Sequence, residues 1–230
     1  MCRNATRMRT SVSFSLMIAA WTLPSLAVAQ SSSECVPYDF DAQAKAQVFT
    51  IKAPTPKQPV SFQSEAKACP AQGKCGWKQR SYLIPGDTVL AGPEQGDFRC
   101  AYYVTARGKP LAGFLPAANL EPAKGEKGLD AAILPGTWVY EENEIVFTSK
   151  AGGLLHAEGT ATAVVNGTAN TGGFAEDVKP GGEELRFGDP KEEDACLVTV
   201  QRRGPYLLVS DNLQCGGLNV SFKGLYIRKK

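Results

Sequence analysis

Leu155-His156-Ala157-Glu158-Gly159-Thr160-Ala161-Thr162-Ala163-Val164-Val165 alternates with a period of two. Positions 155, 157, 159, 161, 163 and 165 are apolar or small, whereas His156, Glu158, Thr160 and Thr162 are polar. Successive side chains of a strand point to opposite faces, so this run reads as a half-buried strand with one face turned inward. The inward face is small at Gly159, Ala161 and Ala163. It leaves room for a bulky neighbour, and Trp138 is the natural candidate to fill it.

Around this run the chain breaks into short strand-like segments. Ahead of it lie Gln47–Lys52, Val60–Gln63, Arg80–Leu83, Thr88–Ala91, Phe98–Thr105, Leu111–Leu115, Thr137–Tyr140 and Glu144–Ser149. Pro85-Gly86-Asp87, Gly92-Pro93 and Arg107-Gly108-Lys109 read as turns between them. After it come Glu184–Phe187, Ala195–Arg202, Tyr206–Ser210 and Leu218–Arg228. The last segment changes phase at Gly224: Leu218, Val220 and Phe222 share one parity, Leu225 and Ile227 the other. A β-bulge at that glycine would restore both sets to one face. Ala117–Leu120 suits a single 3₁₀ turn, and no segment carries a convincing helical period. Residues 121–130 are charged, Gly-containing and free of aromatics. The expected organisation is all-β. A lead-in covers 30–45, one small barrel 46–122, a linker 123–130 and a second small barrel 131–230.

Residues 1–29 read as a cleaved export signal. Arg3, Arg7 and Arg9 precede an apolar stretch from about Val12 to Leu23, Pro24 breaks it, and Ala27-Val28-Ala29 forms a small-x-small site before Gln30. The apolar stretch is well short of the ~20 residues that span a bilayer. The expected location is therefore periplasmic or secreted, with no membrane attachment after cleavage. The chain holds 25 Lys+Arg and 23 Asp+Glu; the leader takes three arginines and no acid, which leaves 22 basic against 23 acidic groups. Such a balance gives no electrostatic pull on nucleic acid.

Of seven cysteines, Cys2 leaves with the signal, and Cys35, Cys69, Cys75, Cys100, Cys196 and Cys215 remain. An even count in an exported chain points to disulfides, with fifteen pairings open. If each half folds separately, Cys196 pairs with Cys215; the four earlier cysteines keep three pairings open, and Cys35–Cys100 with Cys69–Cys75 is a guess among them. A zinc site is the poorer reading, because the spacing of Cys69 and Cys75 is too wide and His156 is the only histidine.

Ile84-Pro85-Gly86-Asp87-Thr88-Val89-Leu90 and Gly113-Phe114-Leu115-Pro116-Ala117-Ala118-Asn119-Leu120 resemble the diverging turn and the closing segment of bacterial SH3-like domains. The resemblance implies a five-strand barrel of the kind that holds cell-wall or peptide ligands. Ala118 and Asn119 stand where eukaryotic SH3 domains place the Asn and Tyr that touch proline-rich peptides. Gly136-Thr137-Trp138 and Arg228 resemble, more faintly, the opening and closing of a calycin-type barrel, the group of lipocalins, avidins and small protease inhibitors. That likeness implies a Trp packed inside the barrel base with a late Arg over it. Residues 211–226 also resemble the ending of uncharacterised exported proteobacterial proteins.

Residues able to do chemistry are few. A lone His156 excludes a multi-His metal site, and on the polar parity of its strand it reads as a solvated surface residue. Glu141, Glu142, Glu144, Glu183, Glu184, Glu192, Glu193 and Asp194 sit in runs beside turns, as solvated loop charges do. Neither a catalytic set nor a cofactor is expected. The binding candidates are Trp77, on a loop beside Cys75, the adjacent pair Tyr102 and Tyr103, and Asp211 with Asn212. Asp211-Asn212 ahead of Cys215-Gly216-Gly217 reads first as a tight turn anchored by its cysteine.

The expected function is that of a non-enzymatic exported binding protein. The SH3-like half would target cell-wall peptidoglycan or a protein partner, and the second barrel would cap or inhibit an exported enzyme such as a lysozyme or protease. The alternative is a barrel that holds a carbohydrate or lipid against Gly159, Ala161 and Ala163. A cell-wall hydrolase is the third reading.

Overall fold

The described residues of the computed structural model are 34–52, 58–70, 75–123 and 128–230. The expected leader 1–29 with its expected cleavage site, and part of the expected 123–130 linker, lie outside them. Seven strands form one antiparallel sheet: β1 (Gln47–Ile51), β2 (Val60–Gln63), β3 (Lys78–Leu83), β4 (Thr88–Gln95), β5 (Phe98–Val104), β6 (Pro110–Pro116) and β7 (Leu120–Pro122), in the order β3-β2-β6-β5-β4-β1-β7. A 3₁₀ turn, Ala117–Asn119, joins β6 to β7 where the sequence places one.

Eight strands form the second sheet: β8 (Gly136–Tyr140), β9 (Asn143–Ser149), β10 (Leu155–Val165), β11 (Thr168–Val178), β12 (Glu184–Phe187), β13 (Val198–Arg203), β14 (Tyr206–Asp211) and β15 (Gly224–Arg228). Their order is β11-β10-β9-β8-β15-β14-β13-β12. First strand pairs with last, and every other strand pairs with a chain neighbour, so the sheet nearly closes with its seam between β11 and β12. Full closure removes exposed edges; here side-chain and loop contacts bridge the seam. Glu176 Oε2 accepts from Gly188 N–H at 2.8 Å, and Gly173 N–H donates to Cys215 O at 3.0 Å. Gly172 and Gly216 meet so closely that a Cβ on Gly172 would stand 2.6 Å from Gly216 Cα. Only glycine permits this approach.

Four local readings are corrected. Phe40–Lys45 is a helix, α1, inside the supposed loose lead-in. Less than two turns is too short for a period to show, and its start is marked by Asp39, whose Oδ1 accepts from Ala42 N–H at 3.0 Å. Gly92-Pro93 lies within β4, and the register shifts there between Ala91 and Glu94. A bulge lets a strand carry a proline that has no N–H to give. β11 was not read from its Thr-, Asn- and Gly-rich sequence, yet Asn166-Gly167 before it, with φ of 51° and 81°, is a two-residue hairpin signal. The last strand starts only at Gly224. Asp211 pulls the preceding segment out of the sheet, accepting from Phe222 N–H at 2.6 Å and from Ser221 Oγ at 3.0 Å.

Three buried clusters hold the chain. Phe49, Ile51, Phe62, Leu83, Val89 and Leu115 fill the inside of the first sheet. Trp138, Ile145, Phe147, Phe187, Phe222 and Tyr226 fill the second. Between them Val48, Leu90, Phe98, Tyr102 and Phe114 of the first sheet pack on Tyr206, Leu208 and Leu225 of the second. β14 therefore buries both faces, Leu207 and Val209 one way and Tyr206 and Leu208 the other, which is why its sequence does not alternate. Tyr206 hydroxyl donates to Thr88 O across this boundary.

At Gly159 the small inward face of β10 is covered by Phe174 of β11, and Trp138 belongs to the same buried cluster as Ala157 and Ala161. A Cβ at Gly159 would lie 2.7 Å from Phe174 Cδ1, and that ring packs 5.0 Å from Phe187 and 5.1 Å from Phe222. Trp138 is buried nearby with its Nε1 donating to Leu134 O at 2.9 Å. Arg228 guanidinium donates to Pro135 O, beside Gly136. Three disulfides form: Cys35–Cys100, Cys69–Cys75 and Cys196–Cys215. They mark an oxidising environment. Among the described residues no helix is long and apolar enough to cross a membrane.

Candidate functional site

A cleft of about 480 Å³ opens where α1 meets the β8–β9 turn. Tyr38, Phe40 and Gln43 form one wall, Tyr140, Glu141 and Glu142 the opposite one, and Thr162 and Val164 of β10 with Asn219 close the end. The helix enters this wall because its apolar residues Phe40, Ala42 and Ala44 pack on the cluster between the sheets. The turn is held from behind: Glu141 N–H donates to Gly108 O at 2.9 Å. Gly108, with φ of 81°, leaves room for that approach, since a Cβ there would sit 3.2 Å from the same nitrogen.

Glu141 has φ of 52°, a left-handed conformation that glycine or asparagine would adopt more easily. Its Oε1 accepts from Tyr38 hydroxyl at 3.0 Å, which joins the two walls across the cleft mouth. That bond, with lesser contributions from burial and the carboxylate charge, raises the Tyr38 pKa above the usual phenol value. Burial first, and the Glu141 charge second, raise Tyr140 as well. Asn143 ties the remaining walls: its Nδ2 donates to Ser221 O at 2.9 Å, and its Oδ1 accepts from Thr162 N–H at 3.1 Å. Gln43 is 2% exposed, and its Nε2 donates to Pro37 O at 2.6 Å, but its Oε1 has no partner among the described residues. A buried acceptor without a donor costs about 1–3 kcal/mol.

None of the binding residues singled out from sequence lines this cleft. Trp77 is half-buried; its Nε1 donates to Lys67 O at 2.9 Å, and Lys67 Nζ sits 4.7 Å over its ring. Tyr102 and Tyr103 do point to opposite faces. Tyr102 is buried between the sheets, its pKa pushed up to about 12 by burial and then by Asp39. Tyr103 is half-buried on the other face, its pKa raised by burial and then by Asp87. Asp211 and Asn212 spend their polar atoms on the loop itself. Asn212 Oδ1 accepts from Leu197 N–H at 3.1 Å, and its Nδ2 donates to Ala195 O at 2.8 Å. His156 lies on the outer face of β10 with Nδ1 2.7 Å from Asp177 Oδ1, and Lys150 pairs with the same carboxylate. Among the described residues no group of His, Cys, Asp and Glu could hold a metal ion.

Sequence reasoning missed Tyr38, Phe40 and Gln43, because the segment before β1 read as a loose lead-in. It read Glu141 and Glu142 as loop charges; both are exposed, but they flank a cleft. A usable signal existed in the paired glutamates of a two-residue turn, where glycine or asparagine is the easier choice. Comparison with known proteins returns no matching family model, no matching curated protein and no matching solved structure.

Proposed function

We propose that this chain is a non-enzymatic binding protein of the periplasm or the secreted fraction, and that it holds a peptide-type partner in the cleft between α1 and the β8–β9 turn. On this reading the first sheet is an SH3-like module that recruits cell-wall peptide or an exported enzyme. The second is a calycin-like barrel that caps or inhibits the partner. The observation that carries the reading is the cleft itself, with aromatic walls, two exposed carboxylates and a buried amide oxygen lacking a donor. Concave sites with apolar walls and a few convergent polar groups are the usual place for a ligand. The filled interior of the second sheet disfavours a small molecule held at Gly159, because the Phe174 ring occupies that face.

The test is co-sedimentation of the chain from Gln30 onward with peptidoglycan sacculi. Saturable sedimentation weakened by Tyr38→Ala supports a wall partner held at the cleft. Saturable sedimentation indifferent to that change contradicts the cleft as the site. Absence of sedimentation removes the wall source, and the same pair of proteins is then assayed for inhibition of lysozymes and exported proteases. No effect in either assay contradicts the reading as a whole.

A further inference from the structure

Glu142 makes no hydrogen bond or ion pair among the described residues, and Glu141 is engaged only by Tyr38 hydroxyl and, through its backbone, Gly108. Lys223 also lines the cleft, and its Nζ makes no ion pair among the described residues; it offsets one of the two carboxylate charges and leaves the lining with a net negative charge. Gln43 Oε1, a buried polar atom of the cleft wall without a hydrogen-bond partner among the described residues, is an acceptor as well. A cleft that presents acceptors and negative charge is complementary to a donor that carries positive charge.

Aromatic side chains stand on both walls. Tyr38, Phe40 and Tyr140 can flank an aliphatic stem, and their ring faces attract a cation. Two lining residues carry exposed apolar surface, Tyr38 at 64% and Val164 at 69%, and Leu218, next in sequence to the lining Asn219, is 69% exposed. Exposed apolar residues grouped at one site mark a surface that another protein covers. They are not what a soluble cation alone would select. Glu141 is held in a backbone conformation unfavourable for its type, and strain of this kind collects at functional positions.

We infer that the cleft between α1 and the β8–β9 turn is the docking site for a lysine side chain presented by an apolar segment of a protein partner. Glu141 and Glu142 take the ammonium charge, Tyr38, Phe40 and Tyr140 enclose the stem, and Val164 and Leu218 cover the flanking residues. This rests on the binding reading above and specifies the group that is bound.

The test is fluorescence anisotropy of the disulfide-intact chain with a short labelled peptide carrying Leu-Lys-Leu at its centre. Counterparts carry norleucine or glutamate in place of the lysine. The expected result is saturable binding of the lysine peptide alone, weakened by added salt and by at least about tenfold in E141Q/E142Q. Circular dichroism and the melting temperature of that variant check that it is folded. Equal binding of the norleucine peptide, or an unchanged affinity in E141Q/E142Q, overturns the inference. Cleft-dependent sedimentation with sacculi that E141Q/E142Q leaves intact would also overturn it while preserving the binding reading.

Discussion

Removing the Cys196–Cys215 disulfide, as Cys196→Ala/Cys215→Ala, should loosen the seam of the second sheet before anything else. The cross-link spans a sequence separation of 19, and closing a loop of that length restricts the unfolded chain by about 3 kcal/mol. The folded state loses more than a tether. Cys215 is buried, and its carbonyl accepts from Gly173 N–H at 3.0 Å while Gly217 N–H donates to Thr171 O at 3.3 Å, so the loop is what lines β11 on its open side. A loss of about 3 kcal/mol in a chain of this size lowers Tm by roughly 6–12 °C. The assay is a thermal melt of the double variant beside the oxidised parent, with hydrogen exchange read over 170–173 and 212–219. A Tm within about 2 °C of the parent, or unchanged exchange in both segments, would refute the claim that this loop secures the seam.

Gly172→Ala should cost several kcal/mol, because its Cβ would press on Gly216 Cα at 2.6 Å, and that backbone atom cannot swing aside as a side chain could; urea unfolding measures it. Phe174→Ala should cost about 3–5 kcal/mol and open the space over Gly159, a change that binding of an apolar dye would report. Tyr206→Phe leaves Thr88 O without its donor in a buried boundary and should cost about 1–3 kcal/mol in chemical denaturation. Asp177 has its carboxyl pKa lowered, chiefly by the Lys150 bond and then by His156. A lowered folded-state value stabilises above the unfolded pKa, and that contribution is lost as pH falls through the folded one. Asp177→Asn should therefore lower the neutral-pH melt slightly, converge with the parent at acid pH, and so reduce the acid-side slope of Tm against pH.

The strands that bury one face were legible because burial imposes alternation. β10 is the clearest case, and β1, β2 and β9 follow with boundaries within a residue or so. Misreadings arose where another constraint overrode the period. β11 is exposed along most of its length, so it has little apolar pattern to display, and only Asn166-Gly167 announced it. Val220 and Phe222 are core residues delivered by a loop that Asp211 anchors, and a period-two reading cannot tell such a loop from a strand. The cysteines were informative because their compartment and even number leave few uses for them. The cleft was nearly illegible. It needs α1 to bring Tyr38, Phe40 and Gln43 against a turn about 100 residues away, a contact that no local pattern encodes.

Whether the cleft is where a partner binds can be read directly by hydrogen exchange of the disulfide-intact chain, with and without soluble fragments released from digested sacculi or the lysine peptide. Protection concentrated at residues 38–43, 140–143 and 162–164 is the predicted result. Protection confined to the Trp77 loop or to Asp211 and Asn212, with residues 38–43 and 140–143 unchanged, would contradict it.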